Sequence, residues 1–385
     1  MTERLYYQDC YLREFRANIV GTADEGRRVY LDRTAFYPSS GGQPFDTGKL
    51  GGANVIEVID EEDRVAHVLD AALAKGGIAA EIDWPRRFDH MQQHSGQHLL
   101  SAVLEDLFKI PTMSFHLGTE VCTIDVAAPT VTARQIEQAE DRCAEIVHEA
   151  RPLAITFEDA SADLGLRKES QRSGTLRVVA IQGIDRSACG GTHVRTTAEI
   201  GPVLIRKTEK IRGNTRLEFV CGLRALRQAR ADYRTLQEIA RQFSAPSSET
   251  PALVAAQLER VKTLEKANQR LASDIAQREG RELWSATAAD TDGIRRVTQE
   301  GAIDDAMRTR AQAFIAQGLA VFLAVSANPP SILLAASPDS GIHAGDRVKA
   351  TVTAAGGRGG GNQSLAQGSF RAPVDVTVLQ ASLLR

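Results

Sequence analysis

The 385-residue chain is poor in aromatics, which make up 5% of it, and it holds only two tryptophans and four methionines. It also lacks long hydrophobic runs. Nowhere do about 18 apolar residues follow one another, the length that marks a membrane-spanning helix, and the opening MTERLYYQDC has no apolar signal core. Secretion and a membrane partner are therefore not expected, and the cytoplasm is the expected location. An excess of either charge is missing too: 46 Lys and Arg stand against 49 Asp and Glu, a formal net charge of −3. Any contact with nucleic acid must then come from a local basic surface, not from the overall field. The five cysteines (Cys10, Cys122, Cys143, Cys189, Cys221) are odd in number and far apart, unlike a disulfide framework. In a reducing compartment one of these thiols is available for chemistry. Internal repeats are absent, and only residues 356–370 approach low complexity.

What is present describes a globular α+β protein. Hydrophobic residues reach 43% and charged residues 25%, which excludes wholesale disorder, and the length suits two or three domains. Residues 1–85 read as a small β-barrel or sandwich, with short apolar stretches broken by Gly and Pro clusters. Residues 86–222 mix two amphipathic helices, HSGQHLLSAVLEDLFKI and TVTARQIEQAEDRCAEIVHEA, with the strand candidates VCTIDVA, LAITFED, TLRVVAI and VLIRKTEK. Residues 223–285 carry apolar residues at alternating spacings of three and four. Leu226, Ala229, Tyr233, Leu236, Ala240 and Phe243 form one series; Val254, Gln257, Val261, Leu264, Asn268, Leu271 and Ile275 form another. The break SAPSSETP between them predicts a helical hairpin or coiled coil, with Thr250 as cap of the second helix. Residues 286–385 form a last α/β unit with the buried strands AVFLAVSA and SILLAASP, a glycine-rich segment, and a final strand or helix in VDVTVLQASLL.

Two short motifs carry the chemistry. His94 and His98 stand four apart in HSGQHLL, which on a helix sets both imidazoles on one face, one turn apart. Such a pair could bind one metal ion, or it could be two ordinary surface histidines. His90 extends the same stripe, making a His90/His94 pair geometrically possible; it is read as lying behind the ligands or on the surface. In ACGGTHV, Cys189 and His193 flank two glycines whose backbone freedom allows a tight wrap around a cation, although a buried Cys and a stray His would look the same. Together the motifs supply three nitrogens and one sulfur, a ligand set that suits Zn²⁺ in tetrahedral geometry.

These segments resemble the editing module of alanyl-tRNA synthetases and its free-standing relatives, the AlaX alanyl-tRNA editing proteins. HSGQHLL is similar to the family's H-x-x-x-H helix and CGGTHV to its C-x-x-x-H turn. FYPSSGGQPFDTG (36–48) looks like the Gly-rich loop of the preceding barrel, GNTRLEFVCG (213–222) like the strand that closes the editing domain, and GGRGGGNQSLAQGSF (356–370) like the glycine-rich signature of a DHHA1-type domain. The motifs run through nearly the whole chain in the family's order, and the aminoacylation domains of the synthetase have no counterpart. The chain thus resembles the long form of AlaX: a barrel (1–85), a zinc-binding editing domain (86–222), a helical hairpin (223–285) and a C-terminal α/β domain of the DHHA1 type (286–385). Two departures stand out: Ser-Gly-Gln fills the space between the histidines where the family has Thr-Ala-Thr, and Arg358 interrupts the C-terminal glycines.

The resemblance implies an aminoacyl-tRNA deacylase that hydrolyses the ester of Ser-tRNA-Ala, with Gly-tRNA-Ala a further candidate. It implies His94, His98, Cys189 and His193 as catalytic zinc ligands. Zinc would either activate a water or position the substrate; four protein donors favour positioning. Choosing serine over alanine needs a polar partner for the hydroxyl, and the family's position maps to Ser114, with Thr112 and His116 beside it. The loop Ser39, Ser40, Gly41, Gly42 and Gln43 is expected to approach the tRNA end through its backbone N–H groups. Between Arg206 and Arg241 there are ten Lys/Arg and four Asp/Glu. Arg224, Arg227, Arg230 and Arg234 there, with Arg358 further on, are candidate tRNA contacts. The heptad seams allow a homodimer or an intramolecular hairpin. Two other functions compete: a non-catalytic tRNA-binding or synthetase-associated factor with a structural zinc, and a phosphoesterase sharing the DHHA1-type domain, although no Asp-His-His motif is present.

Overall fold

The computed structural model describes residues 1–171, 173–371 and 375–384, and it is a mixed α+β protein. It divides into two compact units, Met1–Glu238 and Ile239–Arg385.

The first unit begins with a closed six-stranded barrel, ordered Glu14–Ala23, Arg28–Leu31, Arg64–Leu69, Ala53–Glu61, Gly48–Leu50 and Gly77–Ile82. Alternation puts one side of each strand inside, so Val29, Leu31, Leu50, Val55, Val58, Val65 and Leu69 form its core. His67 is buried among them; it lies 2.8 Å from the Thr34 hydroxyl through Nε2 and donates from Nδ1 to the Val29 carbonyl at 3.4 Å.

Helix α1 (Trp84–Phe108) follows directly. Asp83 caps its start by accepting from the Arg86 N–H, Pro85 sits in the first turn, and Lys109 ends it in the left-handed region. From His90 to Leu104 every residue is buried, because this helix lies at the centre of the unit. One face packs Leu99, Leu100, Val103 and Leu104 with Ile124, Leu217 and Phe219 of a four-stranded antiparallel sheet (Val203–Ile211, Asn214–Cys221, Cys122–Val126, Thr112–Leu117). Helix α2 (Ala133–His148) starts in a Thr132/Gln135 capping box and adds Ala139, Cys143 and Ile146 to that core. Gly96 lowers helix propensity, and the packing explains its presence: a Cβ there would lie 2.2 Å from the Cys221 sulfur. A three-stranded sheet (Leu153–Asp159, Thr175–Ile181, Asp185–Ala188) leads into the Cys189 turn.

Barrel and α1 are joined by a buried ion pair. Arg87 donates through Nε to both carboxylate oxygens of Asp46 at 3.0 Å, and also to the carbonyls of Cys10 and Ala35. Asp46 accepts in turn from the Tyr37 N–H at 2.6 Å. Both side chains are fully buried.

Two long helices, α3 (Gly222–Gln242) and α4 (Thr250–Ala286), occupy the segment with heptad-like spacing. Thr250 lies inside α4 rather than capping it, and its hydroxyl has no partner among the described residues. In the second unit a five-stranded sheet is ordered Arg295–Glu300, Ala320–Ala327, Pro330–Ala336, Leu365–Ser369, Arg358–Gly361. Helix α5 (Asp305–Ile315) covers Phe322 and Ala324, while α6 (Ala344–Ala354) packs with Val321 and Leu323. With both faces covered, the strand sequence is continuously apolar instead of alternating. The last segment is helical, α7 (Val376–Leu383); Val374, at its predicted start, lies outside the described residues.

Candidate metal centre

The two sequence motifs meet. Helix α1 presents His94 and His98, and the turn after strand Asp185–Ala188 presents Cys189 and His193; one donor atom from each lies within 4.8 Å of all the others. The Cys189 sulfur is 3.4 Å from His94 Nε2 and 3.3 Å from His193 Nε2. A tetrahedral zinc with ordinary bond lengths would separate such N and S atoms by about 3.5 Å. The turn is shaped for this approach: a Cβ on Gly191 would come within 2.1 Å of the His94 ring, so only glycine fits. Arg177 holds the turn in place, donating to the carbonyls of Cys189 at 2.6 Å and Tyr7 at 3.1 Å.

A second layer decides which ring nitrogen faces the centre. His94 Nδ1 meets Gln43 Oε1 at 2.8 Å, His98 Nδ1 meets Asp185 Oδ2 at 2.8 Å, and His193 Nδ1 meets the Ser95 hydroxyl at 3.1 Å. Carboxylate and amide oxygens only accept, so His94 and His98 keep a proton on Nδ1, which leaves Nε2 as the nitrogen turned inward. Asp185 is itself steadied by Arg167 Nε at 2.6 Å and by the Ser187 hydroxyl at 2.9 Å.

The electrostatics suit a cation. Burial alone would raise the Cys189 thiol, but the adjoining His94 and His193 imidazoles outweigh it and hold its pKa well below the usual value. Burial and His94 push His193 down to about 3. Burial also opposes charge on His98, but Asp185 and the Cys189 thiolate prevail and lift it to about 9. A thiolate, three inward-facing imidazole nitrogens and an anchoring carboxylate behind one of them form a donor set that fits zinc.

The centre opens onto a cavity of about 720 Å³ in the first unit, lined by His94, His98 and Cys189, by Gln97, Thr112 and Ser114, and by Phe115 and Phe157 among others. Of the loop expected to approach tRNA, Ser39 to Gly42 are exposed, and Ser40 and Gly41 reach this cavity. The loop is anchored by Gly42, in the left-handed region, whose carbonyl accepts from the Leu117 N–H at 3.1 Å. Gln43 differs from its neighbours: it is buried and reaches His94 and the Thr192 N–H.

The candidates for the seryl hydroxyl separate. Ser114 donates to Asp125 at 2.9 Å, and Thr112 donates to the Ser101 hydroxyl at 2.7 Å. His116 is exposed and is not among the cavity-lining residues. Phe115 brings its ring centroid to 5.8 Å from that of His94, and Ser114 lines the same cavity. His90 is buried rather than on the surface. It lines a different cavity with Trp84, Phe88 and Arg227.

Among the basic candidates, Arg224 is largely buried and donates to Asp89 and to the Gly118 carbonyl, so its charge is neutralised inside the fold. Arg227, Arg230, Arg234 and Arg358 are exposed. Gln43, Ser95, Arg167 and Asp185 support the cluster through hydrogen bonds, and sequence reasoning either missed them or gave them another role. Asp185, four residues before Cys189, had no motif to announce it.

A family model described as the threonyl and alanyl tRNA synthetase second additional domain matches residues 176–218, the segment that includes Cys189 and His193. The alanyl-tRNA editing protein AlaX-L of Pyrococcus horikoshii is 31% identical over 97% of this chain and 95% of its own length. The alanyl-tRNA editing protein Aarsd1-B of Xenopus laevis is 32% identical over 70% of each chain. AlaX-M of Methanosarcina barkeri is 32% identical over 57% of this chain and 98% of its own length. With a metal-binding constellation of this kind and likeness along nearly its entire length, the chain belongs to the alanyl-tRNA editing proteins.

Proposed function

We propose that the protein is a trans-editing deacylase that hydrolyses the ester of Ser-tRNA-Ala in the cytoplasm, with His94, His98, Cys189 and His193 holding Zn²⁺. The observation that carries this reading is the four-donor cluster opening directly onto a cavity large enough for an aminoacylated terminal nucleoside. The four protein donors already make a tetrahedral set, so the metal when bound would supply a Lewis-acidic point that the substrate's amino group or terminal ribose could meet only as a fifth donor. The remaining work belongs to the chain. Gln43, Asp185 and Ser95 keep the imidazoles in one orientation. Phe115 and Phe157 wall the cavity with apolar surface and reduce water around the ester. Gly41 brings its backbone N–H to the cavity rim, where the tRNA 3′ end would enter, while that of Ser40 closes the loop by donating to the Gln43 carbonyl. An aminoacyl ester is intrinsically labile, so positioning supplies much of the acceleration. The exposed Arg227, Arg230 and Arg234 are offered as phosphate contacts, and residues 286–385 as a DHHA1-type domain.

The test is deacylation of Ser-tRNA-Ala, with Ala-tRNA-Ala and Ser-tRNA-Ser as controls, for the wild type, His94→Ala and Cys189→Ala, with zinc content measured on every sample. Loss of serine from tRNA-Ala alone, abolished in both variants, is the expected result. Zinc-loaded, folded wild type that spares Ser-tRNA-Ala overturns the reading and leaves a tRNA-binding factor with a structural metal.

A further inference from the structure

The three residues between the ligands His94 and His98 face three different ways. Ser95 turns to His193, and Gly96 lies against Cys221. Gln97 lines the cavity that opens from the metal centre, although the residue is only 3% exposed. One end of its carboxamide is engaged, with Nε2 donating to the Ser101 hydroxyl at 2.9 Å. Ser101 also receives the Thr112 hydroxyl, so that end is held in a short chain of hydrogen bonds. The other end has no hydrogen-bond partner among the described residues. That end keeps access to solvent in the cavity, and a ligand that displaces water from it must itself supply the hydrogen bond.

We propose that the unengaged end of the Gln97 carboxamide recognises the β-hydroxyl of the seryl group and so selects serine over alanine. This rests on the deacylase reading above and names the selecting residue within it. A hydroxyl completes the carboxamide whichever way it is presented, since it both donates and accepts. Alanine brings a methyl group to the same place, leaves the amide unpaired, and is rejected for that reason. Ser114 and Thr112 are less able to do this, since each already donates its hydroxyl to a protein acceptor. The position of Gln97, immediately before His98, places its recognition beside the atoms that would anchor the substrate.

The experiment compares the zinc-loaded full chain with Gln97→Met, which keeps the length but removes the amide, and Gln97→Glu, which keeps an acceptor. The probes are two stable amide analogues, 3′-seryl- and 3′-alanyl-amino-3′-deoxyadenosine, titrated by calorimetry; zinc content and melting temperature are recorded for each protein. The wild type is expected to bind the seryl analogue about tenfold or more tighter than the alanyl one. In Gln97→Met that ratio falls to near one with the alanyl affinity unchanged, and in Gln97→Glu part of the preference returns. A ratio preserved in Gln97→Met, or equal weakening of both analogues, reduces Gln97 to a packing residue and overturns the proposal. Wild type that prefers the seryl analogue but spares Ser-tRNA-Ala removes the hydrolase reading and leaves the selection by Gln97 standing. Wild type that binds both analogues equally removes the selection, whatever the hydrolysis assay gives.

Discussion

The carboxamide of Gln43 has a defined orientation, because the backbone N–H of Thr192 can only donate and therefore fixes the oxygen at 3.1 Å. The same oxygen then takes the proton of His94 Nδ1, while Nε2 of the amide donates to the Thr192 hydroxyl at 2.8 Å. One side chain from the barrel loop thus sets the tautomer of a ligand on α1. Gln43→Ala is expected to weaken zinc binding about 10- to 100-fold, the usual effect of losing a partner behind a metal ligand, without comparable loss of thermal stability. Gln43→Glu keeps an acceptor for His94 and should retain most of the affinity. Competition with a chromogenic chelator measures both. Equal affinities in all three proteins would show that the His94 ring is held by packing alone. The ligands themselves were legible in the sequence because their spacing is fixed by helix and turn geometry. Their supports were not: Gln43 and Asp185 lie 51 and 87 residues from the histidines they orient, and only the folded chain brings them together. The SSGGQP loop was read as a tRNA contact throughout, since nothing in its local pattern distinguishes the buried glutamine from its exposed neighbours.

At the scale of elements, the barrel holds a titratable group with no chemical task. His67 is enclosed by apolar strands, and burial pushes its pKa down from 6.5 to about 4. The folded state therefore resists protonation that the unfolded chain accepts. Stability from keeping His67 neutral is fully present above about pH 6.5 and is lost as pH falls toward 4, because over that window the unfolded state binds more protons. A difference of this size corresponds to about 3 kcal/mol at most. The melting temperature of His67→Gln should fall less between pH 7 and pH 5 than that of the wild type; identical pH dependence would assign acid sensitivity to other groups. Element by element, period and punctuation carried most of the reading. The strands at 122–126, 153–159, 175–181 and 320–327 fall where apolar runs predicted them. Ser114 shows the limit: counting forward from His98 lands on a residue that lines the cavity, but the count cannot reveal that its hydroxyl is already given to Asp125 on the neighbouring strand. Packing explains part of the glycine run at 356–370: Gly359 and Gly368 belong to a hairpin lying against α6, and a Cβ on Gly368 would meet Val352 at 2.4 Å, whereas Gly356 and Gly360 face open space.

For the whole molecule, a net charge of −3 means that attraction to tRNA cannot be general. It must be concentrated where Lys and Arg outnumber acids, and burial decides which of those cations count. Arg224 is neutralised by Asp89, and Arg206 by Asp232. Arg227, Arg230 and Arg234 remain exposed on α3, one helical turn apart. If they touch phosphates, each contact releases condensed counterions, so kcat/KM for Ser-tRNA-Ala should fall with rising salt and the slope should lessen as contacts are removed. The triple variant Arg227→Glu/Arg230→Glu/Arg234→Glu is expected to raise KM for Ser-tRNA-Ala about tenfold or more at low salt and leave kcat nearly unchanged. Hydrolysis of the small ester seryl-adenosine, which has no acceptor stem, should be unaffected by the same changes. This pairing separates the alternatives: a parallel loss on both substrates means that the substitutions damaged the editing site, and no loss on either means that the arginines are only a solvated helix face. Loss on the tRNA alone places the phosphate backbone along α3, within the same compact unit as the metal centre.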